Sequence, residues 1–115
     1  MNLFRNANDL KSFAVGTLIF REGDPGDTMY VVAEGEIDIL IHGKVVETAG
    51  PGGIVGEMAL IDKKPRSATV TARTDCKVAA VDAKRFSLMV QQTPFFAIEV
   101  MQVMAERLRR WGNQA

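Results

Sequence analysis

Gly52-Gly53-Ile54-Val55-Gly56-Glu57-Met58-Ala59-Leu60-Ile61-Asp62-Lys63-Lys64-Pro65-Arg66-Ser67-Ala68-Thr69-Val70-Thr71-Ala72 is the stretch from which the fold of this 115-residue chain is read. Its glycines let a backbone pass close to a ligand and lead into a short run of helix formers, 57–61, whose first amides have no partner inside the helix. Arg66 stands nine residues after Glu57, behind Pro65 and before the hydroxyl of Ser67. A guanidinium, a hydroxyl and free helix-start amides together suit one phosphate, and the carboxylate suits a donor such as a sugar hydroxyl on the same small molecule. Taken singly, Glu57 could be a helix-opening acid and Arg66 a solvated charge. Framed by glycine and proline, the two read as a binding site.

Before this stretch, residues 13–15, 17–20, 29–33, 37–41 and 44–48 are short apolar runs rich in Val, Ile and aromatics, which predicts antiparallel strands. Asp24-Pro25-Gly26-Asp27 carries proline and glycine where a type II turn needs them. His42-Gly43 reads as a two-residue hairpin turn, so His42 is a turn residue rather than a ligand. Asn6 to Lys11 is a polar flap in which Asn8 or Asp9 can cap one helical turn. After the stretch, 68–72 and 77–81 make two more strands around Arg73-Thr74-Asp75. Turn signals at intervals of roughly 8–12 residues point to a roll, barrel or sandwich.

The period then changes to that of a helix. Asp82 is an N-cap for 83–92, with Phe86, Met89 and Val90 on one face. Thr93 and Pro94 start a second helix that runs to Trp111, where Gly112 stops it. Ile98, Met101, Met104 or Ala105, Leu108 and Trp111 recur at three and four, so Phe95, Ile98 and Met101 are expected to form its packing face. Strands followed by helices give the α+β class: an antiparallel, jelly-roll-like β-roll with a short cassette helix and two C-terminal helices.

With 47% apolar residues, the chain supports one core and one domain, 1–115. Fourteen basic and fourteen acidic residues cancel, so the overall field favours neither nucleic acid nor an anionic membrane, and any binding comes from a local site. One cysteine, Cys76, and one histidine, His42, exclude an internal disulfide and make no metal site. The same histidine count goes against a metal-dependent β-roll enzyme of cupin type. No nucleophile sits beside a base, so no enzyme is expected. The N-terminus has no signal-like run, no apolar stretch reaches the roughly 18 residues of a membrane span, and a cytoplasmic protein is the expectation.

Gly56-Glu57-Met58-Ala59-Leu60, a short turn, and Pro65-Arg66-Ser67-Ala68-Thr69-Val70 resemble the phosphate-binding cassette of the cyclic-nucleotide-binding domain family. Phe20 to Val32 and Glu34-Gly35-Glu36 resemble that family's early strands, so the similarity covers about residues 13–110. The resemblance implies a β-roll that holds a cyclic mononucleotide, cAMP or else cGMP, at a cassette spanning 56–69. Glu57 would accept from the ribose 2′-hydroxyl and Arg66 would pair with the cyclic phosphate. Ser67 and the amides of Met58 and Ala59 would complete the phosphate shell, with Gly56 permitting the approach. A hydroxyl at Ser67 can serve either the phosphate or a guanine amino group. Leu60 resembles a relay leucine, though plain core is an equal reading. Arg110 or Trp111 would cap the base, and ligand would draw the 104–111 segment, otherwise held by few core contacts, onto the roll. No DNA-binding helix pair, second nucleotide domain or membrane span accompanies the match, so the output is expected through an unknown effector protein. The alternative is a ligand-independent protein-interaction domain of the same fold.

Overall fold

The structure, a computed structural model of the chain, describes Phe4 and residues 7–112. Eight strands come first: β1 (Lys11–Phe13), β2 (Leu18–Phe20), β3 (Met29–Glu34), β4 (Ile37–Ile41), β5 (Lys44–Ala49), β6 (Ile54–Val55), β7 (Thr69–Ala72) and β8 (Cys76–Val81). The cassette helix α1 (Glu57–Asp62) lies between β6 and β7, and α2 (Ala83–Gln92) and α3 (Phe95–Trp111) follow β8. The strands form two four-stranded antiparallel sheets, in the orders β1-β8-β3-β6 and β2-β7-β4-β5. The α+β roll expected from the sequence is the fold observed.

Period-2 alternation decides which sheet faces what. In β4, Ile37, Ile39 and Ile41 are buried while Asp38 and Leu40 are only half-buried, so this sheet covers the core on one face. The other sheet is covered on both. Val32, Val55, Cys76 and Val78 point into the roll and meet Ile37, Ile39, Val70 and Ala72. Their strand neighbours Val31, Ile54, Ala79 and Val81 point outward and meet Leu60, Phe96 and Val100. The chain therefore has an inner core inside the roll and an outer core between one sheet and the helices. Leu60 belongs to the outer core and packs with α3 residues, which fits either of its two readings.

Local capping matches the sequence in part. Asp82 accepts a 2.8 Å hydrogen bond from the Arg85 amide and so caps α2. His42 and Gly43 both have positive φ, 52° and 79°, as a type I′ hairpin requires. Three expectations fail. Gly26 lacks positive φ; the turn is made three residues earlier, where the Asp24 amide donates to the Arg21 carbonyl at 3.0 Å and Gly23 takes φ 87°. Thr93 makes no side-chain cap, because it closes α2 through its amide on the Met89 carbonyl, and Gly112 keeps right-handed angles instead of a left-handed stop. The flap turn expected at 6–11 begins at residue 6, outside the described residues, and residues 7–10 form no helix.

The largest correction concerns the face of α3. Phe95 is 62%, Ile98 44%, Met101 58% and Leu108 59% exposed, whereas Phe96, Val100, Arg107 and Trp111 are buried. Both faces of this helix are apolar, so the three-and-four spacing has two solutions. The one realised is the stripe that carries an arginine. Phe96, with no exposed surface, fills the outer core and meets Phe86 ring to ring at 5.4 Å. Trp111, by contrast, belongs to the inner core, so α3 crosses from the outside of one sheet to the mouth of the roll.

Candidate functional site

Six elements converge at that mouth: β2, β4, the β6–α1 corner, the loop from α1 to β7, β7 itself and the end of α3. Gly56 makes the corner in a left-handed conformation, φ 79°, as the N-cap of α1. The amides of Glu57, Met58 and Ala59 precede the first intrahelical bond, which Leu60 makes to the Gly56 carbonyl at 3.4 Å.

Arg66 comes back over this corner and is only 6% exposed. Its Nη1 donates to the Thr28 carbonyl at 2.8 Å and the Gly56 carbonyl at 3.3 Å, and its guanidinium lies 4.1 Å from the Phe20 ring centroid. Two glycines make room for it. A Cβ on Gly26 would lie 2.2 Å from Arg66 Nε, and one on Gly56 2.6 Å from Arg66 Nη1. Gly26 is thus required by Arg66 and not by a turn. Among the described residues no carboxylate reaches Arg66 within ion-pair distance, and its Nε is buried without a hydrogen-bond partner. Burial lowers its pKa from the ordinary arginine value, opposed only in part by the fields of Tyr30, Asp27, Asp24 and Glu57. It stays a cation at any ordinary pH, and it is one that lacks an anion.

Ser67 follows, half-buried, its hydroxyl donating to Met58 Sδ at 3.6 Å. Ala59 is buried and Met58 half-buried. The structure thus brings together Gly56, Glu57, Met58, Ala59, Arg66 and Ser67, and Trp111 with them, around one cavity. Arg110 is not among its lining residues. It is about half exposed, and its Nη2 pairs with Glu47 at 2.8 Å and Glu106 at 3.6 Å.

The residue that sequence reasoning missed is Arg107. It is 2% exposed and donates from Nη1 to Glu57 Oε1 at 2.7 Å, from Nη2 to Glu47 Oε2 at 2.9 Å and from Nε to Glu47 Oε1 at 3.2 Å. Burial works against its charge, but the hydrogen bonds it donates to Glu47 and Glu57 and the fields of both carboxylates outweigh it and raise its pKa. Its guanidinium also lies 5.1 Å from the Trp111 ring. Trp111 is 5% exposed, packed in the inner core, and its indole Nε1 has no acceptor. The 104–111 segment is therefore anchored by a buried ion pair and a buried indole, not loosely held as its charged sequence suggests. One signal was available: Arg107 falls at the helical spacing of Val100, Val103 and Trp111.

Between these groups the cavity has a volume of about 20 Å³, room for little more than one water molecule. Elsewhere, His42 is an exposed turn residue whose Nδ1 lies 3.4 Å from Glu22. Cys76 is a buried strand residue whose thiol pKa is raised by burial and then by Asp75, which makes it inert. Among the described residues no group of three or more His, Cys, Asp or Glu is placed to hold a metal, and no helix is long and apolar enough to cross a membrane.

Three comparisons bear on this site. The family described as the cyclic nucleotide-binding domain matches residues 10–93. The chain is 40% identical over 81 residues to a cAMP-dependent protein kinase regulatory subunit of Eremothecium gossypii, covering 70% of this chain and 18% of that protein. Among solved structures it is similar to the catabolite activator protein of Thermus thermophilus, with TM-score 0.79 and 29% identity over 88% of this chain and 50% of that one. It is also similar to a protein from a cyclic-GMP-dependent signalling pathway of bacterial phytopathogenesis, with TM-score 0.74 and 25% identity over 86% and 82% of the two chains. The chain thus spans about a fifth of the kinase relative and half of the activator.

Proposed function

The chain belongs to the cyclic nucleotide-binding domain family, and on that premise we propose that it is a regulatory sensor whose ligand is cAMP and which performs no catalysis. One observation carries the reading. Arg66 is a buried cation with an unpartnered Nε, set beside the helix-start amides and Ser67 in space that Gly26 and Gly56 leave for it. Buried polar groups are ordinarily satisfied, so such a donor marks a missing acceptor. A cyclic phosphate supplies a single delocalised anion there, with the Ser67 hydroxyl and the amides of Met58 and Ala59 completing its shell. Glu57 is the acceptor for the ribose 2′-hydroxyl. Trp111 stands on the base side, and Arg110 is left out of the ligand shell.

The kinase relative supports cAMP, and the cyclic-GMP-pathway neighbour with the Ser67 hydroxyl makes cGMP the competitor to test. The relative's being a regulatory subunit also supports output through an effector protein and a cytoplasmic location. Ligand-independent interaction by the same fold is the second reading, favoured by how fully the cavity is filled.

Calorimetric titration with cAMP, cGMP and ATP decides between them. cAMP is expected to bind, and Arg66→Ala to weaken it by about 2–5 kcal/mol, because the phosphate is then buried unpaired. Equal affinity for all three nucleotides, or binding indifferent to Arg66→Ala in a folded protein, would refute the assignment. Absence of any binding would favour the interaction domain.

A further inference from the structure

Arg66 and Phe20 are brought together by their backbones. Phe20 ends β2 opposite Val70 of β7, and the two chains stay tied beyond that pair. The Glu22 amide donates to Thr69 Oγ1 at 2.9 Å, the Gly23 amide to the Arg66 carbonyl at 2.9 Å, and the Arg66 amide to the Asp24 carbonyl at 2.8 Å. The Arg66 guanidinium comes to lie 4.1 Å from the Phe20 ring centroid. The Phe20 ring in turn stacks on Tyr30 of β3, with centroids 6.2 Å and planes 26° apart. Both rings are half-buried against the inner core. A Cβ on Gly56 would meet Phe20 Cε2 at 3.4 Å as well as Arg66, so ring, guanidinium and the corner before α1 form one packed unit.

We propose that Phe20 is a positioning residue for the anion site: its ring, backed by Tyr30, fixes the plane of the Arg66 guanidinium and leaves one edge of it, Nε and Nη2, for two oxygens of a single anionic group. An arginine side chain has five N–H donors. Nη1 donates to the Thr28 and Gly56 carbonyls, whereas Nε and Nη2 make no hydrogen bond among the described residues. These two nitrogens carry parallel N–H groups, the pair that matches two oxygens of a phosphate. What holds the side chain decides whether that edge is free. A carboxylate in the place of Phe20 would occupy the fork and cancel the charge. An aromatic face attracts the cation through its quadrupole and takes no donor. The ring therefore confines the guanidinium while its charge and its fork stay available. A guanidinium confined in advance also loses less rotamer freedom when the anion arrives, which favours binding.

The inference deepens the cyclic-nucleotide reading and rests on it for its affinity arm, while its structural arm needs no ligand. The experiment replaces Phe20 in three ways. Phe20→Leu keeps an apolar side chain without a π face, Phe20→Tyr keeps the face, and ring-fluorinated phenylalanines weaken the negative face in steps at nearly constant shape. Without nucleotide, the Nε–H and Hδ resonances of Arg66 are expected upfield in the native chain, shifted by the ring current of Phe20. They should return toward ordinary arginine positions in Phe20→Leu and stay in Phe20→Tyr. With cAMP, Phe20→Leu is expected to bind about 3–30-fold more weakly, the range of a partly desolvated cation–π contact. Phe20→Tyr should bind as the native chain does, and the fluorinated rings should fall between in order of fluorine count. In an Arg66→Ala background the Phe20→Leu penalty should vanish, because no guanidinium is left to position. Equal affinity across the fluorinated series overturns the proposal. So does a Phe20→Leu penalty that persists in Arg66→Ala, the result for a ring that packs on the nucleotide itself, and so do unmoved Arg66 resonances in Phe20→Leu. If Phe20→Leu fails to melt cooperatively, the fluorinated series and Phe20→Tyr carry the same test. Displaced Arg66 resonances with no cyclic nucleotide bound by any variant uphold the pairing of ring and guanidinium and refute the ligand.

Discussion

Arg66 and Arg107 are both guanidiniums withdrawn from water, and they are held in opposite ways. Arg66 rests on two backbone carbonyls and an aromatic ring, with its buried Nε unpartnered and no carboxylate in ion-pair range among the described residues. Arg107 is enclosed by two carboxylates that take three of its donors. Burial lowers the pKa of the first, while in the second the carboxylates overcome the same effect. Neither change alters the charge near neutral pH, but the signs differ because one cation has its anion and the other lacks it. A buried cation without an anion describes a binding site. A buried cation with two describes a structural clamp, even when it borders the same cavity.

The largest expected effect attacks the clamp. Arg107→Met keeps the aliphatic stem and removes the charge, leaving Glu57 buried without its partner. Unfolding free energy should fall by about 3–5 kcal/mol, the usual cost of removing one member of a buried pair. Chemical denaturation with an unchanged slope checks it. A loss below about 1 kcal/mol, the level of an exposed pair, would mean that Glu57 finds water as soon as Arg107 leaves, and the contrast between the two arginines would shrink to one of degree.

That contrast was half legible in the sequence. Arg66 could be found because its neighbours are locally diagnostic: a proline before it, a hydroxyl after it, and glycine-glutamate nine residues earlier. The strands were legible for a similar reason, since alternation in β4 and the His42-Gly43 turn are local properties. Arg107 acts through Glu47 and Glu57, 60 and 50 residues away, and no local pattern encodes such a pair. Worse, an arginine is discounted when an apolar stripe is sought, so the reading favours the stripe containing Phe95, Ile98, Met101 and Leu108 over the one containing Phe96, Val100 and Arg107, and only Trp111, expected in the first, is buried as expected. Gly26 was misread by the same locality. It looked like a turn glycine beside Pro25, yet what it answers to is a side chain 40 positions later.

Gly26 therefore gives the next test, of intermediate size, aimed at Arg66. The added methyl of Gly26→Ala would meet Arg66 Nε, Cζ and Nη2 at 2.2, 2.4 and 2.6 Å. The end of a long side chain can shift, so the cost should be about 1–3 kcal/mol of stability. The displaced guanidinium should also weaken cAMP binding by roughly tenfold, about 1.4 kcal/mol, although Gly26 itself supplies no group to the phosphate. Calorimetry and melting on the one variant measure both. Native stability together with native affinity would show that Arg66 is not confined by this glycine, and the description of a rigidly presented cation would fail.

The smallest effect concerns Arg110, which shares Glu47 with Arg107 but stands in water. Its Nη2 lies 2.8 Å from Glu47 Oε1, as short as any contact Arg107 makes to that carboxylate, yet its side chain is 47% exposed against 2% for Arg107. Distance alone would rank the two pairs as equals. Exposure ranks them far apart, because an exposed pair gains little Coulomb energy against water and gives up side-chain freedom to hold its geometry. Arg110→Ala should accordingly cost about 0.2–1 kcal/mol, and the loss should shrink further in about 1 M salt, where the screening length is roughly 3 Å. Because Arg110 does not line the cavity, its removal should change cAMP affinity by no more than about twofold, well under the 1.4 kcal/mol that corresponds to tenfold. A double-mutant cycle with Glu47→Gln isolates the pair, and the coupling should stay below about 1 kcal/mol. A coupling as large as that of Arg107 would make Arg110 part of the clamp, and a tenfold loss of cAMP affinity in Arg110→Ala would return Arg110 to the base side of the site.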